Sequence, residues 1–371
     1  MNKGFKIQIF PNKKQQELMF KSFNCSRFAY NWALEKQEEN YKNSGKFISD
    51  YELRREFTQF KKLEENKWLK EVNNNVCKQA IKDCCKAYKN FFNGISKHPR
   101  FKNKYKSKKS FYNDTYKIKF DGNMVQLETI GRMKMAETLP TNILKYQNPR
   151  ISYDGIRFWL SISCVLEDSI TNELLKTEPI GIDMGIKTLM VCSNGMSFKR
   201  VNIKKEEKKL KRLQKRASRI YTTMTRTKLK TKSKNLLKLE KIILKKQQHI
   251  SNIRLNNIHQ ATSKLVKLNP ESIVVEDLNV KGMMRNKHLS KQVQDCSFYE
   301  IRRQLDYKCK LNGIKLIIAD RWYASSKICS NCGNKKHKLS LSERVYKCEC
   351  CGIEIDRDYN ASVNLKNLAY N

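Results

Sequence analysis

Acidic residues are scarce in this sequence for the number of basic ones. Asp and Glu number 36 against 76 Lys and Arg over 371 residues, a formal net charge of +40. That imbalance far exceeds what solubility requires and calls for a polyanionic partner, of which nucleic acid is the default. A host whose codons favour Lys and Asn would account for part of the Lys count, but not for the shortage of Glu. Long apolar runs are missing as well. The opening stretch, MNKGFKIQIFPNKK, is broken at Pro11, too early for a signal peptide or a membrane-spanning helix. The opening is not expected to be a secretory leader, so the 13 cysteines are expected to act as thiols and metal ligands in a reducing compartment rather than as disulfides. The expectation is a soluble cytoplasmic protein with no membrane partner, long enough for two or three domains and a large core.

What is present is concentrated near the carboxy terminus. From Arg321 to Leu365 the chain reads RWYASSKICSNCGNKKHKLSLSERVYKCECCGIEIDRDYNASVNL. Cys329 and Cys332 form one C-x-x-C pair, and Cys348 and Cys351 form a second at the spacing of a zinc ribbon. Four thiolates suit a closed, structural Zn2+ site, because a catalytic one keeps an open position. Gly333 and Gly352 follow the pairs, where the chain must turn tightly about the metal. Cys350 offers a rival C-x-C pairing with Cys348, but two matching C-x-x-C-G knuckles favour Cys351.

In chain order, Phe5 to Phe10 alternates as a half-buried strand. Helical periodicity over about Lys13 to Tyr41 puts Leu18, Cys25, Ala29 and Ala33 on one stripe; over Asn75 to Phe92 it stacks Val76, Ala80, Cys84, Ala87 and Phe91. After His98, Phe101, Tyr105, Phe111 and Tyr112 are interleaved with Arg100, Lys102, Lys104, Lys106, Lys108 and Lys109. Cations beside flat rings suit a single-stranded nucleic-acid surface. Arg100, Phe101, Lys102, Lys104, Tyr105 and Lys106 are the candidate contacts. Strands expected at about Lys117 to Phe120, Met124 to Leu127, Arg150 to Ser152 and Arg157 to Leu166 suggest a small β-barrel that the first strand joins.

From Pro179, PIGIDMGIKTLMVCSNGMSFKRV reads as three strands, with Asn194-Gly195 turning the second into the third. The two-residue period puts Ile180, Ile182 and Met184 on one face and Gly181, Asp183 and Gly185 on the other. The glycines beside Asp183 are expected to leave room for a metal ion and a phosphate. Residues 201–250 carry 18 Lys and Arg against 3 Glu, a basic helical segment interrupted near Thr222 to Ser233 and read as a contact for nucleic-acid backbone. Leu255, Ile258, Ala261, Leu265 and Leu268 continue as an amphipathic helix. Ser272 to Val275 is a buried strand ending in Glu276-Asp277, and only one of these acids can share a face with Asp183. A helix over about Gln292 to Asn312, a strand at 315–320, the ribbon and a helix opened by Asp356-Arg357-Asp358-Tyr359-Asn360 complete the order. That order is the plan of an RNase H-like fold, with Asp183, Glu276 and Asp358 converging at one sheet end. Such a hard-oxygen site suits Mg2+ or Mn2+, and two such ions about 3.5–4 Å apart promote phosphodiester hydrolysis. Asp358 has a rival reading as a helix N-cap, where Asp is worth about 1 kcal/mol.

GIDMGIKTLMVCSNG, IVVEDLNVKGMMRN and SSKICSNCG with YKCECCGIEIDRDYNASVNL resemble the three nuclease blocks and zinc ribbon of the TnpB family, insertion-sequence proteins related to compact type V CRISPR effectors. FPNKKQQELMFKSFNCSRFAYNWAL, NFFNGISKHPRFKNK and the KSF that follows resemble that family's amino-terminal segments. The resemblance implies an α/β multidomain protein. Its parts would be a wedge-type β-barrel from 1–10 and 98–172, a helical recognition domain at 11–97, a RuvC-like nuclease domain from 173–320 and 355–371, and a zinc ribbon at 321–354. It implies a RuvC-type triad at Asp183, Glu276 and Asp358, Asp356 being the weaker candidate for the last place. Mg2+ or Mn2+ would sit there, and one Zn2+ on Cys329, Cys332, Cys348 and Cys351. It further implies an RNA-guided endonuclease of the prokaryotic cytoplasm and nucleoid, holding a guide RNA from the end of its own element and cutting double-stranded DNA beside a short flanking motif. The competing readings are an RNA-guided repressor that does not cut and a guide-independent transposase. Cys350 departs from the family pattern, in which a non-cysteine residue stands there.

Overall fold

In β1 (Asn2–Phe10) the alternation of the sequence buries Ile7 and Ile9 on one face. α1 (Lys13–Ser44) is opened by Asn12 and Gln15 in a reciprocal capping box and closed at Gly45, whose φ of 65° is the left-handed value that favours glycine. The sequence reading did not foresee α2 (Asp50–Phe60), which Ser49 and Glu52 cap in the same way. α1 packs on α3 (Asn74–Phe92), so Cys25, Ala29 and Ala33 share a core with Val76, Ala80 and Cys84. β2 (Lys109–Tyr112), β3 (Lys119–Asp121), β4 (Met124–Leu127), β5 (Gly131–Met135), β6 (Ile143–Tyr153) and β7 (Phe158–Leu166) join β1 in an antiparallel sheet of order β2-β6-β7-β1-β5-β4-β3. Among the described residues β2 and β3 are edges that do not pair with each other, so backbone hydrogen bonds do not close the expected barrel. Ile7, Leu160 and Ile162 of the sheet lie in the same core as the helices. The expected helical and barrel parts are thus built on one core.

This unit spans Met1–Ser169, and a second spans Ile170–Asn371. The computed structural model describes residues 2–167, 175–228, 231–340 and 342–370; the boundary expected at 172–173 lies outside them. Among the described residues no helix is long and apolar enough to cross a membrane.

In the second unit β8 (Ile180–Asp183), β9 (Thr188–Cys192) and β10 (Ser197–Lys199) form antiparallel hairpins. The basic segment is two helices, α4 (Lys204–Arg226) and α5 (Lys234–Lys267), which meet through Ala217, Leu236 and Leu239. β11 (Ser272–Glu276) pairs parallel with β8. After α6 (Val280–Arg285), α7 (Ser290–Cys296) and α8 (Phe298–Leu311), β12 (Lys315–Ala319) pairs parallel with β11. The helix expected over Gln292 to Asn312 is broken in two because Ser297 takes a left-handed conformation, φ 53° and ψ 45°. β13 (Val345–Lys347) and β14 (Glu354–Asp356) form a small hairpin, and α9 (Arg357–Asn367) ends the unit. The five-stranded order is β10-β9-β8-β11-β12.

Which face each strand residue takes follows from the partners of β11. Ile273 and Val275 pack with Ile258 and Leu265 of α5 and Ile301 and Leu305 of α8, while Val274 packs with Leu365 of α9. Helices therefore cover both faces of the sheet, and each fully buried Ile or Val contributes about 1.5–3 kcal/mol. On β8, Ile182 joins the α5 and α8 side. Gly181 faces α9 so closely that an added Cβ would stand 2.0 Å from the Ser362 carbonyl oxygen and 2.4 Å from the Lys366 amide.

Candidate active site and metal centre

The same parity locates the acids. Asp183 follows Gly181 by two residues and Glu276 follows Val274 by two, so both side chains belong to the α9 face. Ile182 pairs with Val275, which puts Asp183 and Glu276 side by side one step on, on strands about 4.7–4.9 Å apart. Asp358 lies in the first turn of α9, against this end of the sheet. Asp277 takes the opposite face, where Arg302 of α8 donates to it at 2.7 Å and Arg321 pairs with it as well. Glu276 is thus the acid that shares the side of Asp183. The N-cap role falls to Asp356, whose Oδ1 accepts from the Tyr359 amide at 2.9 Å, and Asp358 is left free of it.

Burial pushes the Asp183 carboxyl well above its ordinary value, and repulsion from Glu276 and Asp358 adds to the rise. Glu276 is raised by burial too, held back by a hydrogen bond from Ser325 Oγ at 2.7 Å and by Asp183 within hydrogen-bonding reach. Arg357 supplies the nearest positive charge, its Nε and Nη2 donating to Asp358 Oδ1 at 3.3 and 3.2 Å. Arg344 stands 3.9 Å from Asp358 Oδ2. Three hard oxygen donors on converging elements fit a divalent cation. The room for a substrate is not where the glycines suggested: the space beside Gly181 is filled by α9, and a Cβ added at Gly185 would stand 2.9 Å from the Thr188 carbonyl oxygen. It is instead a cleft of about 490 Å³ beside Glu276, lined also by Arg321, Trp322, Ser325 and Arg357. Trp322 is 87% exposed there.

Cys329, Cys332, Cys348 and Cys351 bring their sulfurs together within 4.8 Å, a group that can hold one metal ion. Cys329 Sγ is 3.6 Å from Cys351 Sγ, and Cys332 Sγ is 3.5 Å from Cys348 Sγ. These separations match tetrahedral thiolates at about 2.3 Å from Zn2+. Cys350 is exposed and stands outside the group. Gly333 and Gly352 have φ of 74° and 71°, and their amides close the knuckles onto the carbonyls of Cys329 and Cys348 at 2.9 and 3.1 Å. The Cys351 amide, and after it that of Cys350, holds the Cys348 thiol down at about 6, so the turn itself favours the thiolate a metal needs. Among the described residues these cysteines are the only such group; the oxygens of Asp183, Glu276 and Asp358 do not all come within that distance of one another.

Sequence reasoning missed the fastening between ribbon and helix. Asn360, fully buried in α9, accepts from the Ser330 amide at 2.9 Å and donates to the Ile328 carbonyl at 2.7 Å. Asn364 donates to the Ser325 and Ile328 carbonyls at 2.8 and 2.6 Å. Two Asn four residues apart on a buried helix face were the available signal. In the first unit, Arg100, Phe101, Lys104, Tyr105 and Lys106 are exposed. Lys102 is not a free phosphate contact: its ammonium lies 3.6 Å from the Tyr30 ring centroid, and its backbone is held by the Asn31 side chain at 2.8 and 3.0 Å.

Known proteins match the chain almost from end to end. Residues 1–46 match a family described as "Helix-turn-helix domain", although they fold here as β1 and the single helix α1. Residues 161–287 match "Probable transposase", and residues 298–365 match "Cas12f1-like, TNB domain". A Streptomyces pristinaespiralis protein named "Putative RNA-guided DNA endonuclease" is 29% identical over 98% of this chain and 89% of its own length. An Escherichia coli protein with the same name and the suffix InsQ is 29% identical over 98% of this chain and 91% of its own. The solved structure "Cryo-EM structure of the Cas12f1-sgRNA-target DNA complex" covers 99% of both chains with a TM-score of 0.59 and 13% identity. That likeness is one of fold, an α/β multidomain architecture.

Proposed function

We infer that this chain belongs to the TnpB family and is an RNA-guided DNA endonuclease of an insertion sequence that cuts double-stranded DNA by metal-dependent hydrolysis beside a short flanking motif. The observation that carries the hydrolytic part is the meeting of Asp183, Glu276 and Asp358 at one end of a five-stranded sheet. The strand order supports an RNase H-like, RuvC-type reading of the second unit, and the first unit is proposed to hold the wedge and recognition parts. The four-cysteine group is the proposed site of one Zn2+, and the three acids are the proposed holders of Mg2+ or Mn2+.

Asp183, Glu276 and Asp358 would hold divalent ions, which would supply the Lewis acidity for activating a water and stabilising the departing 3′ oxygen. The chain's own share is to aim the acids. Ser325 fixes one oxygen of Glu276, Asn360 and Asn364 fasten α9 to the first knuckle, and α9 in turn carries Asp358. The cleft beside Glu276, with Trp322 and Arg321 on its wall, is the proposed place of the strand to be cut. Arg100, Phe101, Lys104, Tyr105 and Lys106 are proposed contacts for RNA, whose unpaired bases stack on rings and whose phosphates pair with cations. Intact acids speak against a repressor that does not cut, and the full-length likeness to RNA-guided relatives speaks against an unguided transposase. The reading is tested by sequencing the RNA that copurifies with the protein. One species ending in a segment that can be rewritten to redirect cleavage is expected; random RNA, or cleavage indifferent to that segment, would contradict it.

A further inference from the structure

We infer that Arg357 is a built-in counter-cation of the carboxylate cluster, holding Asp358 apart from Asp183 and Glu276 until a divalent ion takes its place. This rests on the nuclease reading above. Asp183 and Glu276 are within hydrogen-bonding reach of each other, yet the three acids together do not close to mutual coordinating distance. The partners of Asp358 explain why. Its Oδ1 accepts from Arg357 at 3.2 and 3.3 Å, and its Oδ2 faces Arg344 at 3.9 Å. To share an ion with the other two acids, Asp358 must give up part of this pairing.

Arg357 is the better placed of the two cations. Its side chain is 12% exposed, against 48% for Arg344, so its attraction is less screened. The guanidinium is also anchored from the ribbon, donating from Nη1 to the Ser340 carbonyl at 3.4 Å, while the Arg357 amide donates to the Arg344 carbonyl at 2.8 Å. A fixed cation of this kind neutralises acids that would otherwise repel one another in the metal-free protein. Its effect on an incoming ion is competitive, since both draw on the charge and orientation of the same Asp358 carboxylate. Arg357 is therefore a positioning residue that acts through Asp358.

The test uses the full chain with its copurified RNA and retained zinc. Thermal midpoints are followed across a Mg2+ titration for the wild type, Arg357→Ala, Arg357→Lys and Asp183→Asn, the last marking the response of the RNA alone. Without Mg2+, Arg357→Ala is expected to melt below the wild type. The deficit should shrink as Mg2+ is added, and the Mg2+ concentration at half response should fall about threefold or more, as loss of a partly screened competing ion pair allows. Arg357→Lys should stay near the wild type. A deficit that is constant at all Mg2+ concentrations, or a midpoint concentration that rises, would overturn the inference alone. A wild-type response equal to that of Asp183→Asn would overturn it together with the nuclease reading.

Discussion

At the scale of single residues, Gly181 and Asp183 do opposite things on one strand face. Gly181 lets α9 approach the sheet, and α9 brings Asp358. Gly181→Ala should force that helix away, lowering stability by about 1–3 kcal/mol and cutting activity with it; chemical denaturation alongside a cleavage assay checks both. Asp183 is a source of repulsion. Its carboxyl binds a proton more tightly in the folded than in the unfolded chain, where its value is about 3.9. Asp183 should therefore subtract stability from the metal-free protein as pH rises from there through the raised folded value, and Asp183→Asn should gain on the wild type over that range. Thermal midpoints of the two against pH without Mg2+ decide it; a difference between them that does not change with pH would contradict the assignment. That Asp183 can share a face with only one of Glu276 and Asp277 was legible in the sequence because strand parity is rigid: it separated Asp183 from Ile182 and Glu276 from Asp277. What parity could not give was which Asp caps α9. That depends on where the helix starts, and Asp356 and Asp358 both fit the N-cap chemistry. The glycines misled for a related reason. A missing Cβ says that something comes close, not whether it is a ligand or a helix.

At the scale of elements, the ribbon and α9 act as one piece. The two knuckles turn on left-handed glycines, Tyr346 fills the space beneath the sulfurs, and Asn360 and Asn364 bind the first knuckle to α9. Loss of the metal should therefore disturb Asp358 as well as the ribbon. Cys329→Ser is expected to destabilise the protein strongly, because structural zinc in small ribbons is worth roughly 10–16 kcal/mol, whereas Cys350→Ser should leave stability and one zinc per chain unchanged. Metal content and melting of the two variants measure this. Equal damage from both would refute the ligand set. The knuckles were legible because spacing alone sets tetrahedral reach. The Asn fastening was not, because a buried amide declares itself only once its carbonyl partners are folded beside it. The break at Ser297 was hidden likewise, since a left-handed serine leaves no mark on helical periodicity.

At the scale of the whole molecule, charge is the dominant fact. With 76 basic residues against 36 acidic ones, nucleic-acid affinity should fall steeply with salt, by nearly one logarithmic unit per decade of salt for each phosphate neutralised on duplex DNA. A flat salt dependence would contradict the proposed polyanion partner. The central claim is that Asp183, Glu276 and Asp358 work as one metal-holding set. The direct measurement is cleavage of a matched DNA duplex by the RNA-loaded wild type and by Asp183→Ala, Glu276→Ala and Asp358→Ala, each also assayed for DNA binding. Every variant is predicted to bind nearly as the wild type does and to leave the duplex uncut; a variant that still cuts, or that loses binding together with cutting, would contradict the account.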